Sequence, residues 1–187
     1  LKKSLGMYLK KPELLAPAGN LTKLKIALAY GADAVYASTG SFSLRQRSAK
    51  EFSKESFAEG VAYAHERGKK LYATVNGFAT NGQLGNIERH LEFLRDLRVD
   101  GVLIATLGVA SLARAVAPEI PIHVSTQANV LNYLDAQVWA ELGAVRIVAA
   151  REMTLKDAVE IKDRIPSLEI EIFVHGSMCF AYSGRCL

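Results

Sequence analysis

Two cysteines, Cys179 and Cys186, lie near the end of the 187-residue chain in the stretch EIFVHGSMCFAYSGRC, with six residues between them. As thiolates they can supply half of a tetrahedral zinc or iron–sulfur site whose other ligands lie elsewhere. Their spacing is too long for a CxxC redox pair, and two cysteines are too few for a disulfide framework. His175 precedes Cys179 by four residues, so a Cys–His nucleophile and base is the competing chemistry. No Ser–His–Asp order, GxSxG elbow or HExxH motif accompanies them.

A second set of polar side chains follows directly on short apolar runs: Asn20, Asn76, Ser125, Gln127, Asn129, Arg151, Glu152 and His175. In HVSTQANVLN the amides come straight after a strand-like run, where a bare loop has no need of them. FSLRQR adds Arg45 and Arg47, able to grip an anion bidentately. Asn20 also reads as a helix cap, and Arg151 with Glu152 as an ordinary surface pair. His123 sits inside an apolar run and reads as a core or lumen histidine. His65 and His90 have charged neighbours on helical patterns and read as surface residues.

These positions depend on the elements between them. Seven strand-like runs cover residues 12–19, 32–38, 70–76, 101–106, 120–127, 145–150 and 168–176. Helical patterns fill the gaps over 20–31, 53–68, 85–97, 108–117, 133–143 and 154–165. Ser53 and Ser56 compete as caps, and Thr154 with Asp157 reads as a capping box. Buried strands alternating with helices mean α/β with a parallel sheet, either open and doubly wound or closed as a (β/α) barrel. APAGN after the first run is no GxGxxG loop, and no Walker sequence occurs. Seven near-regular units therefore favour a TIM-barrel-like fold. A complete barrel has eight strands in about 250 residues, so the chain reads as truncated after about seven strands. Residues 1–11, LKKSLGMYLKK, read as a basic N-terminal arm and 12–187 as the barrel domain. Leu1 in place of Met reads as a chain that has lost its start, or one whose true beginning is Met7.

Composition sets the outer bounds. Half of the residues are hydrophobic and the net charge is +4, which allows a real core and an anionic partner such as RNA. No run reaches membrane-spanning length and the first residues carry no secretory signal, so the cytoplasm is the expected compartment.

The cysteine stretch resembles the signature of peptidase family U32: Glu, Phe, Gly, a small residue, an aliphatic or Met, Cys, four residues, Gly and Cys. It fits at Glu171, Phe173, Gly176, Ser177, Met178, Cys179, Gly184 and Cys186. The similarity extends through PELLAPAGN, YGADAVY, FSLR, IPIHVSTQANVLN and VRIVAARE. The family name implies collagenase-like proteolysis. Its better-understood branches imply oxygen-independent hydroxylation supported by a [4Fe–4S] cluster, on tRNA wobble uridine with prephenate, on an rRNA cytidine, or in ubiquinone synthesis.

The wording here is most similar to the tRNA branch, which implies 5-hydroxyuridine as product and tRNA as partner. By that resemblance Cys179 and Cys186 are two of four cluster ligands, the others lying downstream of Leu187. Asn76, Gln127 and His175 would act at the reacting centre. Arg45, Ser125, Asn129, Arg151 and Glu152 would bind substrate, including a small carboxylate donor. One departure stands out: IATLG places Thr106 where relatives carry an Asp-containing turn. The competing readings are a peptidase and a non-catalytic RNA-binding homologue.

Overall fold

The protein is described here from a computed structural model, over residues 11–39, 42–43, 52–176 and 179–185. Seven strands alternate with six helices. The strands are β1 (Leu15–Pro17), β2 (Ala34–Ala37), β3 (Lys70–Val75), β4 (Gly101–Ile104), β5 (Ile122–Val124), β6 (Ala144–Val148) and β7 (Glu169–Glu171). The helices are α1 (Leu21–Ala29), α2 (Lys54–His65), α3 (Leu84–Asp96), α4 (Leu107–Val116), α5 (Tyr133–Glu141) and α6 (Leu155–Arg164). All neighbouring strands pair in parallel and in sequence order, and the sheet curls into a half-barrel of TIM-barrel type.

Alternation along each strand divides the side chains between two environments. On β3, Leu71, Ala73 and Val75 join the main core beneath the helices. Tyr72 faces the other way, into a smaller cluster with Ala34, Leu103 and Val148 that lines the inside of the curl. Curling brings distant residues together there. Arg146 on β6 donates to Glu13, just ahead of β1, at 2.9 Å across 133 residues of sequence.

Helix boundaries follow local chemistry. Asn20, Ser53, Asn132 and Thr154 each accept a backbone N–H of the first turn, which satisfies donors that the helix itself leaves open. Ser53, and not Ser56, caps α2. Thr154 and Asp157 form the reciprocal box at α6.

Three expectations are corrected. His90 is buried, 6% exposed, because Ile87, His90, Leu91 and Leu94 form one face of α3 and charged neighbours lie on the other. Its ring meets Phe42 and Phe93, and burial, with Lys54 nearby, pushes its pKa down to about 4. The fifth strand stops at Val124, since Thr126–Ala128 winds into a single 3-10 turn opened by Ser125. The seventh stops at Glu171. Ala149 makes the last bond of the ladder to the Glu171 carbonyl, and the chain after β6 enters a turn at Arg151–Glu152.

Candidate functional site

The carboxyl ends of the strands surround a pocket inside the curl, where barrel enzymes gather their chemistry. Its wall includes Gly19 after β1, Ser38 after β2, Asn76 after β3, the Ser125–Gln127 turn after β5, Glu171 at the end of β7 and Phe173 just beyond it. Asn76 is buried and donates from Nδ2 to Ser125 Oγ at 3.2 Å and to Gln127 Oε1 at 3.1 Å. Ser125 Oγ also donates to Gln127 Oε1. Three side chains from two strand ends thus form one closed amide–hydroxyl network. Their dipoles are held in place before any ligand arrives, which is how a site avoids reorganisation during binding.

Beneath this mouth lies a charged layer. Arg146, its side chain only 9% exposed, bonds through Nε and Nη2 to Glu169 at 2.8 and 2.6 Å. Its Nη1 serves Glu13 and sits 3.7 Å from Glu171 Oε2. Tyr72 donates its hydroxyl to Glu13 at 2.7 Å, and the guanidinium lies 5.0 Å from the Tyr72 ring centre. Burial opposes the charge on Arg146, yet Glu169, Tyr72 and Glu13 together raise its pKa above the ordinary arginine value. Burial likewise opposes charge on Glu13, but Lys70, Tyr72 and Arg146 hold its carboxyl below the usual range. His123 stacks edge-on against Tyr72 at 4.6 Å. Burial, then Arg146, drives its pKa down to about 3, so this lumen histidine is neutral. Gly101 makes room for it, since a Cβ there would lie 2.9 Å from the imidazole.

Glu171 links the two layers and was not singled out by the sequence as a site residue. Its Oε2 is buried without a hydrogen-bond partner among the described residues. Burial pushes its pKa up to about 7; Arg146 pulls it down, while Glu13 and Glu169 raise it further. A carboxyl that exchanges its proton near neutrality, on the wall of a pocket, has the properties of a general acid or base. The available signal was alternation in EIEIF, which puts Glu169 and Glu171 on one face of β7.

The family follows from the chain as a whole. The family model described as peptidase family U32 matches residues 19–187. The chain belongs to peptidase family U32. It is 62% identical over 175 residues to tRNA hydroxylation protein P of Helicobacter pylori (strain ATCC 700392 / 26695), covering 94% of this chain and 42% of that protein. It is 44% identical to tRNA hydroxylation protein P of Escherichia coli (strain K12), covering 95% of this chain and 39% of that protein. The chain thus spans about two-fifths of the length of these relatives. In fold it is similar to the solved U32 peptidase Mk0906, with a TM-score of 0.70 at 18% identity, over 88% of this chain and 70% of that one.

The remaining sequence candidates of this U32 chain fall into three groups. Asn129 adjoins the network in a left-handed conformation, φ 55°, with Oδ1 buried and unpartnered among the described residues. Arg151 and Glu152 hold a loop. Arg151 Nη2 donates to the Ala181 carbonyl at 2.8 Å, and Glu152 accepts the Ser183 N–H at 2.9 Å. Arg151 Nη2 and the Glu152 carboxylate thus bond the chain's own backbone, while Arg151 Nε is buried without a hydrogen-bond partner among the described residues. His175 is exposed and is not part of the pocket wall, since the chain has already left the sheet at Glu171. Arg45, Arg47 and Cys186 lie outside the described residues. Thr106 opens α4 without a side-chain cap bond.

Cys179 is an exposed free thiol. Among the described residues no group of three or more His, Cys, Asp or Glu is placed to hold a metal ion. A [4Fe–4S] cluster takes four thiolates, so this part of the U32 chain does not by itself form such a site. Among the described residues no hydrogen bond joins His175 to Cys179. No helix of the described residues is long and apolar enough to cross a membrane.

Proposed function

We propose that this chain is the barrel part of an RNA-modifying hydroxylase that converts the wobble uridine of tRNA to 5-hydroxyuridine. The observation that carries the reading is 62% identity, across 94% of the chain, to a protein named for tRNA hydroxylation. The pocket supports it. The mouth is lined by amide and hydroxyl groups, which can hydrogen-bond the polar edge of a base. Glu171, whose burial pushes its pKa up to about 7, lies on the same wall.

In this proposal the base enters the strand-end mouth, flipped out or already presented by the anticodon loop. Asn76, Ser125 and Gln127 orient it, and Glu171 exchanges a proton with it. A small carboxylate, prephenate, supplies the hydroxyl group. Cys179 and Cys186 are proposed as two of four ligands of a [4Fe–4S] cluster in the complete protein; when bound, the cluster would carry electrons or polarise the donor.

The test is mass spectrometry of tRNA from cells lacking the gene and any paralogue, complemented by the wild-type gene or by Asn76→Ala. Loss of 5-hydroxyuridine derivatives, restored by the wild type and at least about tenfold less by Asn76→Ala, is the expected result. An unchanged level of these nucleosides in the deletion strain overturns the proposal.

A further inference from the structure

The loop that carries Cys179 does not hang free from β7. Ser183 is fully buried and is held from two directions by the end of β6. The Arg151 N–H donates to Ser183 Oγ at 3.2 Å, and the Ser183 N–H donates to Glu152 Oε1 at 2.9 Å. The Arg151 guanidinium adds a bond to the Ala181 carbonyl at 2.8 Å. Next to this anchor, Gly184 adopts φ 75° and rests directly on the 3-10 turn of the pocket wall. A Cβ at Gly184 would lie 2.6 Å from the Gln127 carbonyl oxygen and 3.3 Å from Asn129 Cβ. The loop is therefore seated on the backbone of the same turn whose Ser125 and Gln127 side chains line the pocket.

We infer that Arg151 and Glu152 are positioning residues that latch the Cys179–Arg185 loop onto the Ser125–Asn129 turn, so that the cysteine-bearing loop and the pocket wall keep one fixed geometry. The inference rests on the reading of this pocket as the working site. The latch works at the level of the backbone: two adjacent residues at one strand end satisfy an amide, a hydroxyl and a carbonyl of a segment about thirty residues further on. Gly184 supplies the close approach that a side chain would block.

Amide hydrogen exchange in the complete protein tests this, with Glu152→Ala, Glu152→Gln and Gly184→Ala beside the wild type. The Ser183 amide and its loop neighbours should exchange about tenfold faster in Glu152→Ala, with the barrel strands unchanged. Glu152→Gln keeps an accepting oxygen and should restore most of the protection. Gly184→Ala should release the loop independently, through the clash with Gln127. In the hydroxylation assay, Glu152→Ala should lower kcat about tenfold with little change in KM for tRNA, and Glu152→Gln should recover it. Unchanged loop exchange in Glu152→Ala, faster exchange spread evenly over the barrel, or equal loss in Glu152→Gln would each overturn the latch. A wild-type protein that exchanges as expected but leaves tRNA unmodified would sink the proposed function and leave the latch standing.

Discussion

Glu171 shows how one side chain acquires a property that its type does not have. Its folded pKa, raised to about 7 from 4.5, means the native state holds this proton across a range where the unfolded chain has released it. Stability from this group is therefore undiminished below about pH 4.5, falls as pH rises through the interval, and stays reduced above about pH 7. Glu171→Gln removes that slope. The variant should match the wild type at pH 4 and exceed it at pH 8 by up to about 3 kcal/mol, each pKa unit being about 1.4 kcal/mol. Urea midpoints at the two pH values measure the difference, and a wild type that is the more stable of the two at pH 8 contradicts the assignment. The reading EIEIF carried the alternation, but burial beside Arg146 is a product of the curl and has no local signature.

At the level of elements, the two threonines that open α4 and α6 make a controlled pair. Thr154 Oγ1 accepts the Asp157 N–H at 3.2 Å, completing a capping box, whereas Thr106 makes no cap bond through its side chain. Thr154→Ala should cost about 1 kcal/mol in chemical denaturation, and Thr106→Ala under about 0.5 kcal/mol. Equal costs would mean that the box contributes nothing. Caps such as these were legible because a cap is a contact between near neighbours in sequence. His90 was not, since its burial depends on which face of α3 the sheet covers, and Glu88, Arg89 and Glu92 lie close to it in sequence. The 3-10 turn at Thr126–Ala128 was hidden for a similar reason. STQ continues an apolar run, and only the course of the sheet shows that the chain turns there.

For the whole molecule, the decisive feature is the buried guanidinium that holds the inside of the curl together. Arg146 faces Glu13, Glu169 and Glu171, contributed by the two ends of the described barrel. Arg146→Ala leaves these carboxylates facing one another in a half-buried layer and should cost about 3–5 kcal/mol. Combining it with Glu171→Gln should recover part of that loss, because one of the repelling charges is gone. A double variant no more stable than Arg146→Ala at pH 8 would show that Glu171 is not coupled to the layer.

The sequence by itself determined the elements, their order and the class of fold, because apolar period, caps and turn residues act over a few neighbours. It also marked Asn76, Ser125 and Gln127 as strand-end groups, and the structure joins them in one network. What only the tertiary structure decided is which strand-end residues line the pocket and which bond other parts of the chain. Arg151 and Glu152, strand-end residues in sequence, bond a loop about thirty residues further on; His175 looked like the end of a strand and lies beyond it. Glu171, which looked like one more strand residue, lies on the pocket wall with its pKa pushed up to about 7 by burial. Parallel pairing and curl set these outcomes. They bring together residues more than a hundred positions apart, and burial among those partners changes what each side chain can do.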